Sequence, residues 1–209
     1  MKSTIAIIGG TGKVGKFLAE TAIKKGYTVR MLVRNPEKVS VTSPNIELIK
    51  GYAQNPHSIR SLLEGCEAVV NTFGQPNRDT PLYSEVTKLI ITIMGDIGIK
   101  RYIGVTGGSL DIYGDKKSFV NKLGAIVFRI MYSKMIKDKK KELIILQESK
   151  IDWTLVRLPF IYEKDINKTI KENLFDMPGL TITNRNIADF LIDEISNSKY
   201  IRKTPFIAN

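Results

Sequence analysis

An α/β fold built on one doubly wound parallel sheet, three layers deep (α/β/α), is what the sequence predicts, and three observations predict it. Short apolar runs rich in Ile, Val and Leu alternate along the chain with longer stretches whose apolar residues fall at helical spacing. Glycines sit directly after those runs: Gly9, Gly12 and Gly15 after the first, Gly51, Gly74 and Gly107 after later ones. In an open parallel sheet with right-handed crossovers, such turns converge on one crevice, where ligands bind. The third observation is composition. With 209 residues, 43% hydrophobic and 25% charged, the chain has the length and make-up of one well-buried core, so residues 1–209 read as a single domain.

The first unit carries most of the chemistry. Thr4 to Ile8 is a buried-looking strand, and Val14, Phe17, Leu18, Ala22 and Ile23 share one face of a helix that begins just after Gly12. Between them runs Gly9-Gly10-Thr11-Gly12-Lys13-Val14-Gly15. A helix starting there aims unpaired backbone N–H groups and the positive end of its dipole at the turn, so a diphosphate fits against it. The spacing G-x-x-G-x-x-G differs from the commoner G-x-G-x-x-G, yet its place between strand and helix points to a dinucleotide and a Rossmann-type sheet. Gly9, Thr11, Gly12, Lys13, Val14 and Gly15 are its expected contacts.

Thr28 to Val33 is the second strand, closed by the turn Arg34-Asn35-Pro36. NAD-selective sites carry Asp or Glu here for the ribose hydroxyls. A guanidinium suits a 2′-phosphate instead, and Lys13 is placed to reach the same group, so NADP(H) is expected over NAD(H). Asn45 to Lys50 is the third strand, and Asn55-Pro56 starts a short helix through Ile59, Leu62 and Leu63 that Gly65 ends. Between them, Tyr52 and Ala53 hang over the adenine side, with Tyr52 positioned to stack on the base. His57, the single histidine, reads as exposed in that helix's first turn. Cys66, the single cysteine, reads as a small buried hydrophobe.

Ala68 to Thr72 is the fourth strand, and Phe73, Gly74 and Gln75 follow it at the cofactor edge. Leu82, Val86, Leu89, Ile90, Ile93 and Met94 mark the next helix. Arg101 to Val105 is the fifth strand, with Thr106 and Gly107 expected beside the cofactor and Thr106 a candidate catalytic residue. Residues 118–149 read as a long helical region whose stripe of Phe119, Leu123, Ile126, Val127, Ile130 and Met131 is expected to face the core, a lid or dimer face being the alternative. The strand Trp153 to Arg157 ends at Leu158-Pro159-Phe160-Ile161, expected to flank the nicotinamide. Residues 162–179 read as a mobile substrate-side loop in which Phe175, Met177 and Pro178 cover a flat ligand. A last helix, with Ile187, Ala188, Leu191, Ile192 and Ile195 on one face, and a strand from Thr204 to Ala208 close the chain.

The formal charge of +11 asks what the surface attracts. The densest run, Lys137, Lys139, Lys140 and Lys141, reads as a solvated helix face. No helix-turn-helix, zinc-finger or RNA-binding signature accompanies it, so nucleic acid is not an expected partner. No apolar stretch approaches the ~20 residues that span a bilayer, and a membrane is not expected either. One cysteine excludes an internal disulfide and a multi-cysteine metal site; no metal is expected, and the location expected is cytoplasmic.

Taken together, the glycine turn at 9–15, Leu32-Val33-Arg34-Asn35, Gly65-Cys66-Glu67-Ala68-Val69-Val70, Val105-Thr106-Gly107-Gly108, Asp152-Trp153-Thr154-Leu155-Val156-Arg157-Leu158-Pro159 and Asn186-Ile187-Ala188-Asp189-Phe190-Leu191 resemble the atypical short-chain dehydrogenase/reductase group that binds NAD(P)H. The flavin reductase and biliverdin-IXβ reductase-like proteins are nearest in pattern, and the NmrA-like proteins come next. The resemblance implies NADPH as cofactor and hydride transfer to a flavin, a quinone or a similar planar acceptor. It also places Lys139 facing the cofactor, to bind ribose or donate a proton. The chain departs from the pattern with Gly107 where reductases carry serine and Phe160 where biliverdin-IXβ reductase-like proteins carry histidine. The acid of ordinary short-chain dehydrogenases is the tyrosine of Y-x-x-x-K, which Tyr113 to Lys117 matches literally. Tyr113 is thus a candidate acid, although Gly114-Asp115 reads as a turn. The alternative to an enzyme is an NmrA-like sensor that binds the dinucleotide and acts through a protein partner or a homodimer.

Overall fold

A computed structural model describes residues 3–39, 41–76 and 79–209. In chain order its elements are β1 (Thr4–Ile8), α1 (Gly15–Lys24), β2 (Thr28–Val33), β3 (Ile46–Lys50), α2 (Pro56–Leu63), β4 (Ala68–Asn71), α3 (Tyr83–Ile97), β5 (Arg101–Gly107), α4 (Phe119–Met131), α5 (Ser133–Glu148), β6 (Asp152–Leu158), β7 (Phe160–Tyr162), β8 (Lys171–Asn173), β9 (Thr181–Thr183), α6 (Asn184–Asp193) and β10 (Phe206–Ala208), with one 3-10 turn at Pro36–Lys38. Eight strands form one sheet in the order β3-β2-β1-β4-β5-β6-β10-β8, parallel except for β8 at its edge. The strand order reverses between β1 and β4, which makes that junction the topological switch point.

Alternation along β1 explains the two cores. Ile5 and Ile7 point to one face, where α1 and α6 pack with Leu18, Ala22, Ile187 and Leu191; Ala6 and Ile8 point to the other, where α2, α3 and α5 bring Leu62, Ile90, Met94 and Leu146. Burial on both faces is why the central strands read as continuous apolar runs. The second core also holds Cys66, whose thiol is pushed up to about 12 by burial, which disfavours the thiolate.

Two expectations about the chain after β5 are corrected. The region 118–149 is two helices, broken at Tyr132 (φ −121°, ψ 38°). The stripe on α4 does not face the core: of that helix only Ala125 is buried, and Phe119 is 82% exposed. Length gives the reason. At 1.5 Å per residue α5 alone covers about 24 Å, roughly the length of a seven-residue strand, so α5 completes the crossover from β5 to β6 and α4 is surplus to it.

The segment leading into α4 is fixed by charge. Arg157 on β6, 1% exposed, pairs with both oxygens of Asp115 at 2.7 Å and stacks 3.5 Å over Phe206. Residues 162–179 contribute structure as well: Lys171–Asn173 is the antiparallel edge strand β8 beside β10.

Candidate functional site

The ends of β1, β2, β4, β5 and β6 open on a crevice of about 750 Å3 at the switch point. Its floor is the glycine turn, in which two glycines close the chain and a third leaves room. Gly9 has φ 84°, and a Cβ there would lie 2.4 Å from the carbonyl oxygen of Thr72, just past the end of β4; a Cβ on Gly15 would lie 2.3 Å from the carbonyl carbon of Gly10. At Gly12 the sole neighbour is the Gly9 oxygen at 3.2 Å, and beyond it is open crevice.

Helix α1 starts at Gly15, later than expected, because Gly12 N–H turns back to the Gly9 oxygen (2.9 Å) and Gly15 N–H to the Gly12 oxygen (3.1 Å). No side chain caps α1 and no acid stands in its first turn. Among the described residues the N–H groups of Thr11, Lys13 and Val14 find no acceptor within the protein. An uncapped helix start, free donors and an open glycine fit a diphosphate.

Around this floor stand most of the expected contacts. Arg34, exposed at the end of β2, lies on the rim, as does Lys13, which pairs with Glu163. Tyr52 and Ala53 form one wall, and Phe73, Gly74 and Gln75 the wall after β4; Leu158 and Ile161 close the β6 side. Gln75 is occupied within the protein: its amide donates to the Thr80 carbonyl (2.7 Å) and accepts from Leu82 N–H (2.8 Å), which ties it to the residues just before α3.

Other expected residues stand elsewhere. Gly15 packs against the turn rather than lining the crevice, and Gly107, Pro159 and Phe160 are not among the lining residues; Phe160 points to solvent. Thr106 is buried, with a hydroxyl that has no partner among the described residues. Lys139, only 8% exposed, sits one layer behind the wall. Its ammonium donates to the carbonyl of the crevice residue Val105 (3.2 Å), pairs with Glu142 (2.8 Å) and lies 3.9 Å over the Tyr83 ring. Tyr113 is fully exposed outside the crevice, whereas Lys117 is buried and donates to the Gly108 carbonyl (2.9 Å) and to Asp111 (2.7 Å). The Y-x-x-x-K spacing therefore makes no tyrosine–lysine pair.

Sequence reasoning missed Thr72, Val105 and Glu142. Thr72, whose hydroxyl donates to the Ile8 carbonyl (3.0 Å), and Val105 line the crevice as the ends of apolar runs already read as strands, and that was the available signal. Glu142 accepts from Thr87 (2.9 Å), whose hydroxyl meets the Tyr102 hydroxyl (3.3 Å), itself an acceptor for Asn71 (2.9 Å). One glutamate after four lysines and an aspartate in six residues carried no mark of burial.

The chain is 27% identical over 202 residues to the photosystem II assembly factor Ycf39 of Trieres chinensis, covering 94% of this chain and 58% of that protein. It is 32% identical over 111 residues to an isoflavone reductase homologue of Nicotiana tabacum, covering 49% of this chain and 34% of that protein. The chain thus spans little more than half, or about a third, of the length of these relatives. Among solved structures, a short-chain dehydrogenase/reductase of Veillonella parvula in complex with NADP superposes with a TM-score of 0.80 at 17% identity, over 100% of this chain and 95% of that one. A Streptococcus pneumoniae protein described as a candidate NADH-flavin reductase superposes at 0.78 with 22% identity, over 99% of both chains; these two likenesses are likenesses of fold. A family model described as NAD(P)H-binding matches residues 9–198, from the first glycine of the cradle to beyond α6, and the chain belongs to that NAD(P)H-binding family.

Proposed function

We propose that the chain is an NADPH-dependent reductase whose acceptor is a flavin, a quinone or a similar planar molecule. The observation that carries this reading is the pairing, in one crevice, of the open glycine floor and Arg34 on the rim with an apolar far wall of Phe73, Val105, Leu158 and Ile161. When bound, NADPH supplies the hydride, and the protein supplies binding, orientation and exclusion of water. The free N–H groups before α1 hold the diphosphate, Arg34 and Lys13 meet the 2′-phosphate, and Tyr52 covers the base. Lys139 holds Val105 in place and adds a positive charge behind the wall. Flavins and quinones accept hydride with solvent as proton source, so the site needs no tyrosine acid. The NADP-bound Veillonella structure and the Streptococcus protein support the reading by fold. We assign a cytoplasmic location, with which a single, buried cysteine is in keeping.

The test is NADPH oxidation with FMN, riboflavin and a quinone offered separately, beside titrations of NADPH and NADH. NADPH binds more tightly than NADH, Arg34→Asp removes roughly ten- to a hundredfold of that preference, and Gly12→Val abolishes binding of both while the fold survives. Gly107 and Phe160, standing where the resembled reductases carry serine and histidine, favour a second reading, a sensor that binds NADPH without turnover. Tight NADPH binding with no oxidation by any acceptor selects it.

A further inference from the structure

The outward face of α4 is built backwards for a surface helix. Seven of its thirteen residues, Phe119, Val120, Leu123, Ile126, Val127, Ile130 and Met131, are exposed apolar side chains. At 100° per residue they fill one continuous arc of about 140°. Asn121 and Arg129 turn inward: Asn121 donates to Asp176 (2.7 Å) and to the Met177 carbonyl (3.2 Å), and Arg129 pairs with Asp111. Asp176 also accepts from Ser118 N–H (2.9 Å), so the helix is anchored by its polar side and its apolar side is left to solvent. An ordinary surface helix does the reverse.

Charge says what covers this face. From Lys116 to Lys141 six lysines stand exposed, Lys116, Lys122, Lys134, Lys137, Lys140 and Lys141, against the single acid Asp138 of that stretch, while Lys117, Arg129 and Lys139 are taken up by Asp111 and Glu142. Lys122 borders the apolar arc, and Lys134, Lys137 and Lys141 repeat at helical spacing on the exposed side of α5, one residue beyond the break at Tyr132. Two copies meeting through α4 would set these cation clusters against each other. An exposed apolar helix face bordered by Lys122 and followed in the chain by exposed lysines matches anionic headgroups over acyl chains. With thirteen residues α4 is about 20 Å long, too short to span a bilayer and suited to lie in its interface.

We propose that α4 and the first turns of α5 form a docking site for an anionic bilayer surface, with the α4 arc in the interface and the lysines of α5 against the headgroups. Flotation of the whole chain with vesicles of phosphatidylcholine, alone and with added phosphatidylglycerol, tests this. The protein floats with the anionic vesicles and much less with the neutral ones, and high salt weakens the interaction. Ile126→Asp/Ile130→Asp abolishes it, and Lys134→Gln/Lys137→Gln/Lys141→Gln lowers the partition coefficient about fivefold for each lysine that meets the surface. NADPH affinity and the unfolding temperature are read alongside. Val120→Asp/Val127→Asp, on the same exposed arc, is the second variant should the first misfold. Three results overturn the proposal: no flotation with either vesicle, flotation that survives both aspartate variants (adsorption by charge alone), or a dimer in sedimentation that the aspartates convert to monomer.

Discussion

Lys139 is a buried ammonium held by one carboxylate, and this makes the Lys139–Glu142 pair the most informative single contact in the molecule. Removing one member of a buried pair leaves an uncompensated charge and costs about 3–5 kcal/mol, whereas replacing both with apolar groups is often close to neutral. Glu142→Ala is therefore strongly destabilising in denaturant titration, and Lys139→Met/Glu142→Leu recovers most of the loss. The double variant then separates two roles. If Lys139 only ties α5 to β5 through the Val105 carbonyl, the stable double variant binds NADPH as the native chain does. If its charge reaches the cofactor, as the family resemblance implies, affinity falls while stability does not.

Among the elements, α6 shows how much a local pattern can carry. Its apolar residues fall on one face and its start is marked by Thr183, whose hydroxyl accepts from Asn186 N–H (3.3 Å) and donates to the Ile166 carbonyl (2.8 Å). The same oxygen thus caps the helix and ties down residues 162–179. Thr183→Ala costs about 1–2 kcal/mol in denaturant titration and raises proteolytic cleavage near Ile166 more than elsewhere. The strands and the glycine floor were legible for a similar reason: strand, turn and helix at 4–24 each leave a period or a residue type in the sequence. What was not legible depended on partners far along the chain. The stripe on α4 has the period of a core helix, and periodicity does not say whether an apolar face meets the sheet or solvent; the surplus of α4 over the crossover decides it. Tyr113 and Lys117 fit a catalytic spacing, but the Asp115–Arg157 pair takes the loop between them for anchoring. Gln75 was read correctly as adjacent to the crevice, while its use as a brace for the β4–α3 loop rests on Thr80 and Leu82.

At the scale of the whole molecule the sheet has two unlike edges. The carboxyl ends of the strands carry the crevice, with its free donors and unspent charge, and the amino ends carry a closed clasp. There Arg101, the first residue of β5, donates to the Glu194 carbonyl (2.9 Å), to the Asp152 carbonyl (2.8 Å) and to Thr154 (2.9 Å), so the clasp that joins β5, β6 and the end of α6 is made of hydrogen bonds to neutral acceptors. The Glu194 carboxyl lies 3.4 Å from the same guanidinium, and burial pushes it up to about 7, Arg101 offsetting only part of that cost. A carboxyl held above its ordinary value of 4.5 binds its proton more tightly folded than unfolded. Its contribution to stability is thus fully present below pH 4.5 and is lost as the pH rises through about 7, amounting to roughly 3 kcal/mol over that interval. The native chain accordingly unfolds at a lower temperature at pH 8 than at pH 5. Glu194→Gln keeps the shape and the backbone bonds to Arg101 but does not titrate, so its unfolding temperature changes less over the same interval and exceeds that of the native chain at pH 8. Equal pH slopes in the two proteins would show that the Glu194 carboxyl is ionised throughout and that the clasp is a true buried ion pair. Because the clasp stands at the edge opposite the crevice, the substitution leaves NADPH affinity unchanged at either pH.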